Sequence, residues 1–109
     1  MKYLLMIGLD ESDVPEEIAR HGCGGWSEEM TRRGVVKGGV GLRPASEATT
    51  VRVRDGDLLL SDGPFAETKD QIGGFSLIEA ADLDEAVAIA AAHPVARYGS
   101  IEIRPVLDL

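Results

Sequence analysis

Apolar and polar positions alternate along this chain with periods that change from segment to segment. Tyr3-Leu4-Leu5-Met6-Ile7 is apolar at consecutive positions, the pattern of a strand covered on both faces, which places it in the middle of a sheet. In Ser12-Asp13-Val14-Pro15-Glu16, Asp13 is the expected N-cap, Pro15 fits the first turn and Glu16 closes a capping box, so a helix is predicted to start there. Ile18, Gly22, Trp26 and Met30 then recur every four residues beside Ala19 and Cys23, and Arg32 and Arg33 precede Gly34, the expected stop. Gly22, Gly24 and Gly25 interrupt that stripe at about 1 kcal/mol each relative to Ala. The spacing therefore predicts a helix that is locally broken or packed close to the sheet, with space left for a ligand as the sharper alternative.

Val35 to Leu42 reads as a glycine-interrupted strand and Arg43-Pro44-Ala45-Ser46 as a turn. Thr50-Val51-Arg52-Val53-Arg54 alternates cleanly, Asp55-Gly56 supplies the positive φ of a two-residue hairpin turn, and Leu58-Leu59-Leu60 returns. Ser61 to Pro64 is a predicted loop and Gly74 to Ala80 a strand. Asp82-Leu83-Asp84-Glu85 is a second capping box, opening a helix through about Ala92 that Pro94 ends. In the last strand, Ser100 to Val106, Ile101 and Ile103 lie on one face and Glu102 and Arg104 on the other.

In order the elements read β, α, β, hairpin, β, α, β, which is the plan of an α+β, ferredoxin-like domain with an extra hairpin in its middle. Two helices cover only one face of such a sheet, and the face carrying Ile101 and Ile103 suits them. The other face is left to water or to a second subunit, and the double-sided first strand favours the subunit.

The 109 residues, 44% of them hydrophobic, support a single domain over 1–109 with its own core. Nineteen acidic against eleven basic side chains, a formal charge of −8, oppose the phosphate backbone of nucleic acid and an anionic membrane surface. A local basic pocket for an anionic ligand is still compatible with that balance. The apolar start is too short for a signal-peptide core, and no run approaches the ~18 to 20 apolar residues of a membrane span. Cys23 stands alone, which removes a disulfide framework and fits a reducing, cytoplasmic location.

The run Asp62-Gly63-Pro64-Phe65-Ala66-Glu67-Thr68-Lys69-Asp70-Gln71-Ile72-Gly73-Gly74-Phe75 resembles the signature of the YCII-related family, in particular its DGPF-domain branch. Gly39-Val40-Gly41-Leu42-Arg43-Pro44, Asp84-Glu85-Ala86 and Ile101-Glu102-Ile103-Arg104-Pro105-Val106 agree in order. The resemblance implies a dimeric α+β barrel of ferredoxin-like subunits. It also implies proximity of the gene to sigma factors of the extracytoplasmic-function type, and a distant kinship with muconolactone isomerases and a dehydrochlorinase of chlorinated rings. Similar YCII proteins are thought to use a His and Asp pair. His21 lies in the helix where the family histidine lies, whereas the Asp-Pro step after the second helix is His93-Pro94 in this chain.

Several residues are candidates for chemistry. Asp62 either aims its carboxylate into a cleft or caps its own Asp-Gly-Pro turn. Glu67 and Lys69 form an exposed pair unless burial shifts them toward acid–base work. Glu102 and Arg104 share the uncovered sheet face, where a guanidinium fork suits a ligand carboxylate or a structural ion pair. Arg97 is expected as a solvated loop cation, with positive charge at the cleft mouth as the alternative. His21 and His93 are the side chains whose ordinary titration lies near neutrality; His21 is the preferred general base, and His93 is expected to cap the preceding helix end as a cation. Cys23 is expected as a small filler, and the histidines have no carboxylate at ligand spacing, so neither a metal nor a cofactor is expected.

Two functions follow. In the first, a cytoplasmic homodimer binds a small anionic organic molecule between its subunits, with isomerase- or lyase-type proton transfer open, using His21 or Asp62 as catalytic groups and Arg104, Glu102, Glu67 and Lys69 around the ligand. In the second, a non-catalytic sensor or adaptor works with a sigma factor.

Overall fold

A computed structural model describes residues 1–66 and 68–108. The elements, in chain order, are β1 (Lys2–Leu9), α1 (Glu16–His21), α2 (Trp26–Arg32), β2 (Val36–Gly41), β3 (Thr49–Arg54), β4 (Asp57–Asp62), β5 (Gln71–Glu79), α3 (Leu83–Ala91) and β6 (Ser100–Pro105). Short 3-10 turns occupy Ala45–Glu47 and Pro94–Arg97. Four strands form one antiparallel sheet in the order β2-β5-β1-β6, while β3 and β4 pair only with each other as a separate ribbon. This is the ferredoxin-like arrangement expected from the order of elements, with β1 at the centre as its consecutive apolar run predicts.

Residues opposite one another across an antiparallel ladder share a face. The pairs Tyr3–Ile78, Leu5–Ile103 and Ile7–Ile101 therefore define one face, and Leu4–Arg104, Met6–Glu102, Leu4–Leu77 and Met6–Phe75 the other. On the first face Tyr3, Leu5 and Ile78 meet Trp26 and Met30 of α2 and Ala86, Ile89 and Ala90 of α3, with Ile101 and Ile103 packed against them. Leu5 and Ile78 are fully enclosed there, each worth about 1.5–3 kcal/mol of transfer free energy. The opposite face carries no helix and leaves Val40 61% exposed.

The predicted first helix is two helices. Gly22 at φ +55° and Gly24 at φ +60° adopt left-handed conformations that only glycine enters cheaply, and they break the stripe between His21 and Trp26. Trp26 and Met30 are buried, whereas α1 buries no residue. The first capping box does not form: Pro15 itself occupies the N-cap of α1 and no side chain caps that end. The second one forms its N-cap half, the Asp82 carboxylate accepting from the Glu85 amide at 2.9 Å, while the Glu85 carboxylate accepts from the amide of Ala81, one residue before the cap, at 3.4 Å, so this helix opens on a capped end. At the hairpin, Asp55 (φ 53°) and Gly56 (φ 81°) give the two positive φ values of a type I′ turn.

Candidate functional site

A cleft of about 680 Å³ opens between the helix-covered face of the sheet and α1 and α2, within the size range of small-molecule sites. Its sheet wall comes from β2 and β5, where Gly39, Gly41 and Gly74 replace side chains with bare backbone. A Cβ on Gly39 would lie 2.7 Å from the Phe75 carbonyl oxygen, so that position is glycine because the two strands approach closely. A Cβ on Gly41 would meet nothing within 4 Å. At this second position the missing side chain is open space along the cleft.

The helix wall carries Ile18 and Cys23, and Trp26 closes the interior. The Trp26 indole N–H donates to the Ile89 carbonyl oxygen at 2.9 Å, which ties α2 to α3 and fixes the ring. Against that ring lies His93, 3% exposed and lining the cleft. Burial pushes the His93 imidazole below its ordinary titration range, because the low-dielectric surroundings disfavour the cation. Its Nδ1 accepts a hydrogen bond from the Val95 amide at 3.1 Å. The neutral ring therefore carries its proton on Nε2, which has no hydrogen-bond partner among the described residues.

This arrangement corrects the expected role of His93. It does not cap α3 as a cation; it caps the following 3-10 turn as a neutral acceptor. The reason is burial, which removes the cation that a dipole interaction would need.

Lys37 is also on the cleft wall. It is the residue set apart by a register shift between Val36 and Gly38 in the β2–β5 ladder, and such a bulge re-aims a side chain out of the regular alternation. Ser76, 9% exposed, adds a buried hydroxyl from β5. Among the described residues that line the cleft none is Asp or Glu, although the chain has nineteen acidic side chains.

The residues singled out from the sequence lie elsewhere. His21 is exposed at the end of α1 and is not part of the cleft wall. Asp62 is the last residue of β4, paired with Thr49 across the hairpin and exposed. Glu102 and Arg104 are exposed on the open sheet face and form an ion pair with each other. Lys69 lies in a smaller hollow with Asp10, Asp13 and Asp70, where the acidic groups outnumber it. Glu67 lies outside the described residues. Within the single chain, neither a hydrogen bond nor a shared cleft joins His21, Asp62 and Arg104. Arg97 is a solvated cation as expected, its side chain 65% exposed in the turn after α3, and it pairs there with Glu17 at 2.9 Å.

Sequence reasoning singled out His93 but assigned it to the helix end, and it passed over Lys37 and Ser76. The glycine pattern of β2 and β5 was the available signal, since a strand stripped of side chains on its helix-facing side is either crowded or hollow. Among the described residues no group of three or more His, Cys, Asp or Glu side chains could hold a metal ion, and no helix is long and apolar enough to cross a membrane.

A four-stranded antiparallel sheet in the order β2-β5-β1-β6, helices on one face and a cleft beneath them, defines a ferredoxin-like α+β domain. The chain belongs to the YCII-related domain family, whose family model matches residues 1–109. It is also similar to an "Uncharacterized protein R00369" of Rhizobium meliloti (strain 1021), with 47% identity over 68 residues, 59% of this chain and 53% of that protein. The chain thus spans about half the length of the curated relative it matches.

Proposed function

We propose that this protein binds a small organic acid in the helix–sheet cleft, as a homodimer whose open sheet faces are covered by a second copy. The carrying observation is the charge of the cleft wall: acidic side chains are missing from its described lining, Lys37 is its cation, and the Nε2–H of His93 and the hydroxyls of Ser27, Thr31 and Ser76 add further donors, in a chain of net charge −8. A carboxylate or similar anion meets attraction there and repulsion over much of the remaining surface, while the apolar body of the ligand lies between the glycine wall and Trp26.

Binding without turnover is the reading this geometry favours. With Nδ1 engaged by the Val95 amide, His93 offers a proton donor to a ligand oxygen and not a lone pair for abstracting a proton. The sequence candidates for a base, His21 and Asp62, are outside the cleft. A sensor-type domain needs no base, whereas an isomerase or lyase would.

Trp26 is the sole tryptophan, so its fluorescence reports the cleft directly. Titration with benzoate and 1-naphthoate should give a saturable change that the methyl esters reproduce about tenfold more weakly, the loss of one charge-assisted contact. Gly41→Val should abolish it by filling the open space beside that glycine. Saturation by neither acid, or equal affinity for acid and ester, would overturn the reading.

A further inference from the structure

The hairpin presents its faces in the reverse of the usual sense. Register places Val51 opposite Leu60 and Val53 opposite Leu58, so these four aliphatic side chains share one face, and all four are 58–63% exposed. The other face pairs Thr50 with Ser61 and Arg52 with Leu59. Thr50 and Arg52 are the half-buried residues of the ribbon: the Thr50 hydroxyl donates to the Gly63 carbonyl, and the Arg52 guanidinium lies 5.7 Å from the centre of the Phe65 ring. The face carrying Thr50 and Arg52 is turned toward the loop that follows β4, and the aliphatic face away from it. A two-stranded ribbon is marginal in water by itself, and a row of exposed aliphatic pairs calls for a cover.

The dimensions of the chain indicate what that cover is. Its accessible surface is 7436 Å², against roughly 5,800 Å² for a compact monomer of this mass. Its radius of gyration is 15.5 Å, against about 13 Å for a compact domain of this length. The surplus of roughly 1,600 Å² per chain lies in the range each partner of an obligate homodimer buries. A second surface with no helix over it is available on the same chain, the open sheet face, where Val40 is exposed and Met6, Phe75 and Leu77 are half-buried beside the exposed Glu102–Arg104 pair. In a twofold dimer each copy supplies both surfaces to the other.

We propose that the β3–β4 hairpin is a dimer arm whose Val51, Val53, Leu58 and Leu60 face packs on the open sheet face of a second copy. This rests on the homodimer proposed above and assigns the contact that holds it. Analytical ultracentrifugation of the whole chain should show a dimer. The double variant Leu58→Ser with Leu60→Ser should raise the dimer dissociation constant about a hundredfold or more, whereas Leu59→Ser on the opposite face should leave it within a few-fold. Amide exchange gives a second measurement: protection across residues 49–62 should rise with protein concentration. A wild-type chain that sediments as a monomer up to high micromolar concentration overturns both the arm and the dimer. A wild-type dimer whose association is unchanged by the double variant overturns the arm and leaves the dimer standing.

Discussion

The rings of Trp26 and His93 lie with their centroids 4.9 Å apart and their planes at 59°, joining the start of α2 to the turn after α3 at the inner end of the cleft. The contact depends on both rings being held from behind, Trp26 by the Ile89 carbonyl and His93 by the Val95 amide. A neutral imidazole packs against the indole while burial opposes its protonation.

This gives stability a pH dependence with a definite sign. Burial lowers the His93 pKa in the folded chain, so between that value and the unfolded histidine value of about 6.5 the unfolded chain binds more protons. Unfolding free energy therefore rises with pH in that window. The contribution is complete above about pH 6.5 and is lost as pH falls toward the folded value, with a slope of at most about 1.4 kcal/mol per pH unit for one proton. His93→Asn keeps an acceptor for the Val95 amide and removes the titrating group. Urea denaturation between pH 5 and 7.5 should show a smaller slope for the variant than for the wild type. Parallel curves would place the linked proton elsewhere.

Two glycines on adjacent positions of the same wall should respond oppositely to alanine. At Gly39 the new methyl group would approach the Phe75 carbonyl oxygen to 2.7 Å, and separating the two strands should cost about 1–3 kcal/mol. At Gly41 no atom lies within 4 Å of the added carbon and φ is not positive, so Gly41→Ala should leave stability unchanged or raise it by about 0.4–1 kcal/mol through the unfolded chain. Chemical denaturation midpoints of the two variants check this. A stable Gly39→Ala would mean that β2, an edge strand, yields without loss.

Most of the architecture is legible in the amino-acid order because it depends on local patterns. The consecutive apolar residues of β1, the Asp55-Gly56 turn and the Asp82 cap on the Glu85 amide each carry their own physical reason, and each forms where expected. The alternation in β6 likewise places Ile101 and Ile103 toward the helices and Glu102 and Arg104 away from them. The break at Gly22 and Gly24 was written in the glycines, but the four-residue stripe spans both helices and hides their separation. The cleft was harder to read. It is assembled from a bulge at Lys37, missing side chains at Gly39 and Gly41, and a histidine whose role depends on a backbone amide two residues away, none of which has a periodic signature.

Glu17 holds the helix that roofs the cleft. Its carboxylate accepts from the Arg97 guanidinium at 2.9 Å and from the Tyr98 hydroxyl at 2.7 Å, bridging α1 to the turn after α3. α1 buries no residue and is followed by the left-handed glycines Gly22 and Gly24, so few other interactions fix it, although its Ile18 lines the cleft. Removing these bonds should release α1 locally without unfolding the sheet, since segments with little buried contact open independently of the core. Glu17→Ala should speed amide exchange in residues 16–21 by roughly tenfold, leave exchange in β1 and β5 unchanged and shift the global denaturation midpoint little. The hydrogen bond and charge of Glu17 also hold the Tyr98 phenol above its ordinary titration range, so the same variant should move its ultraviolet titration down toward ordinary tyrosine. A shifted Tyr98 with unaltered exchange in α1 would show that the bond exists but that packing, through Ile18, is what keeps the helix over the cleft.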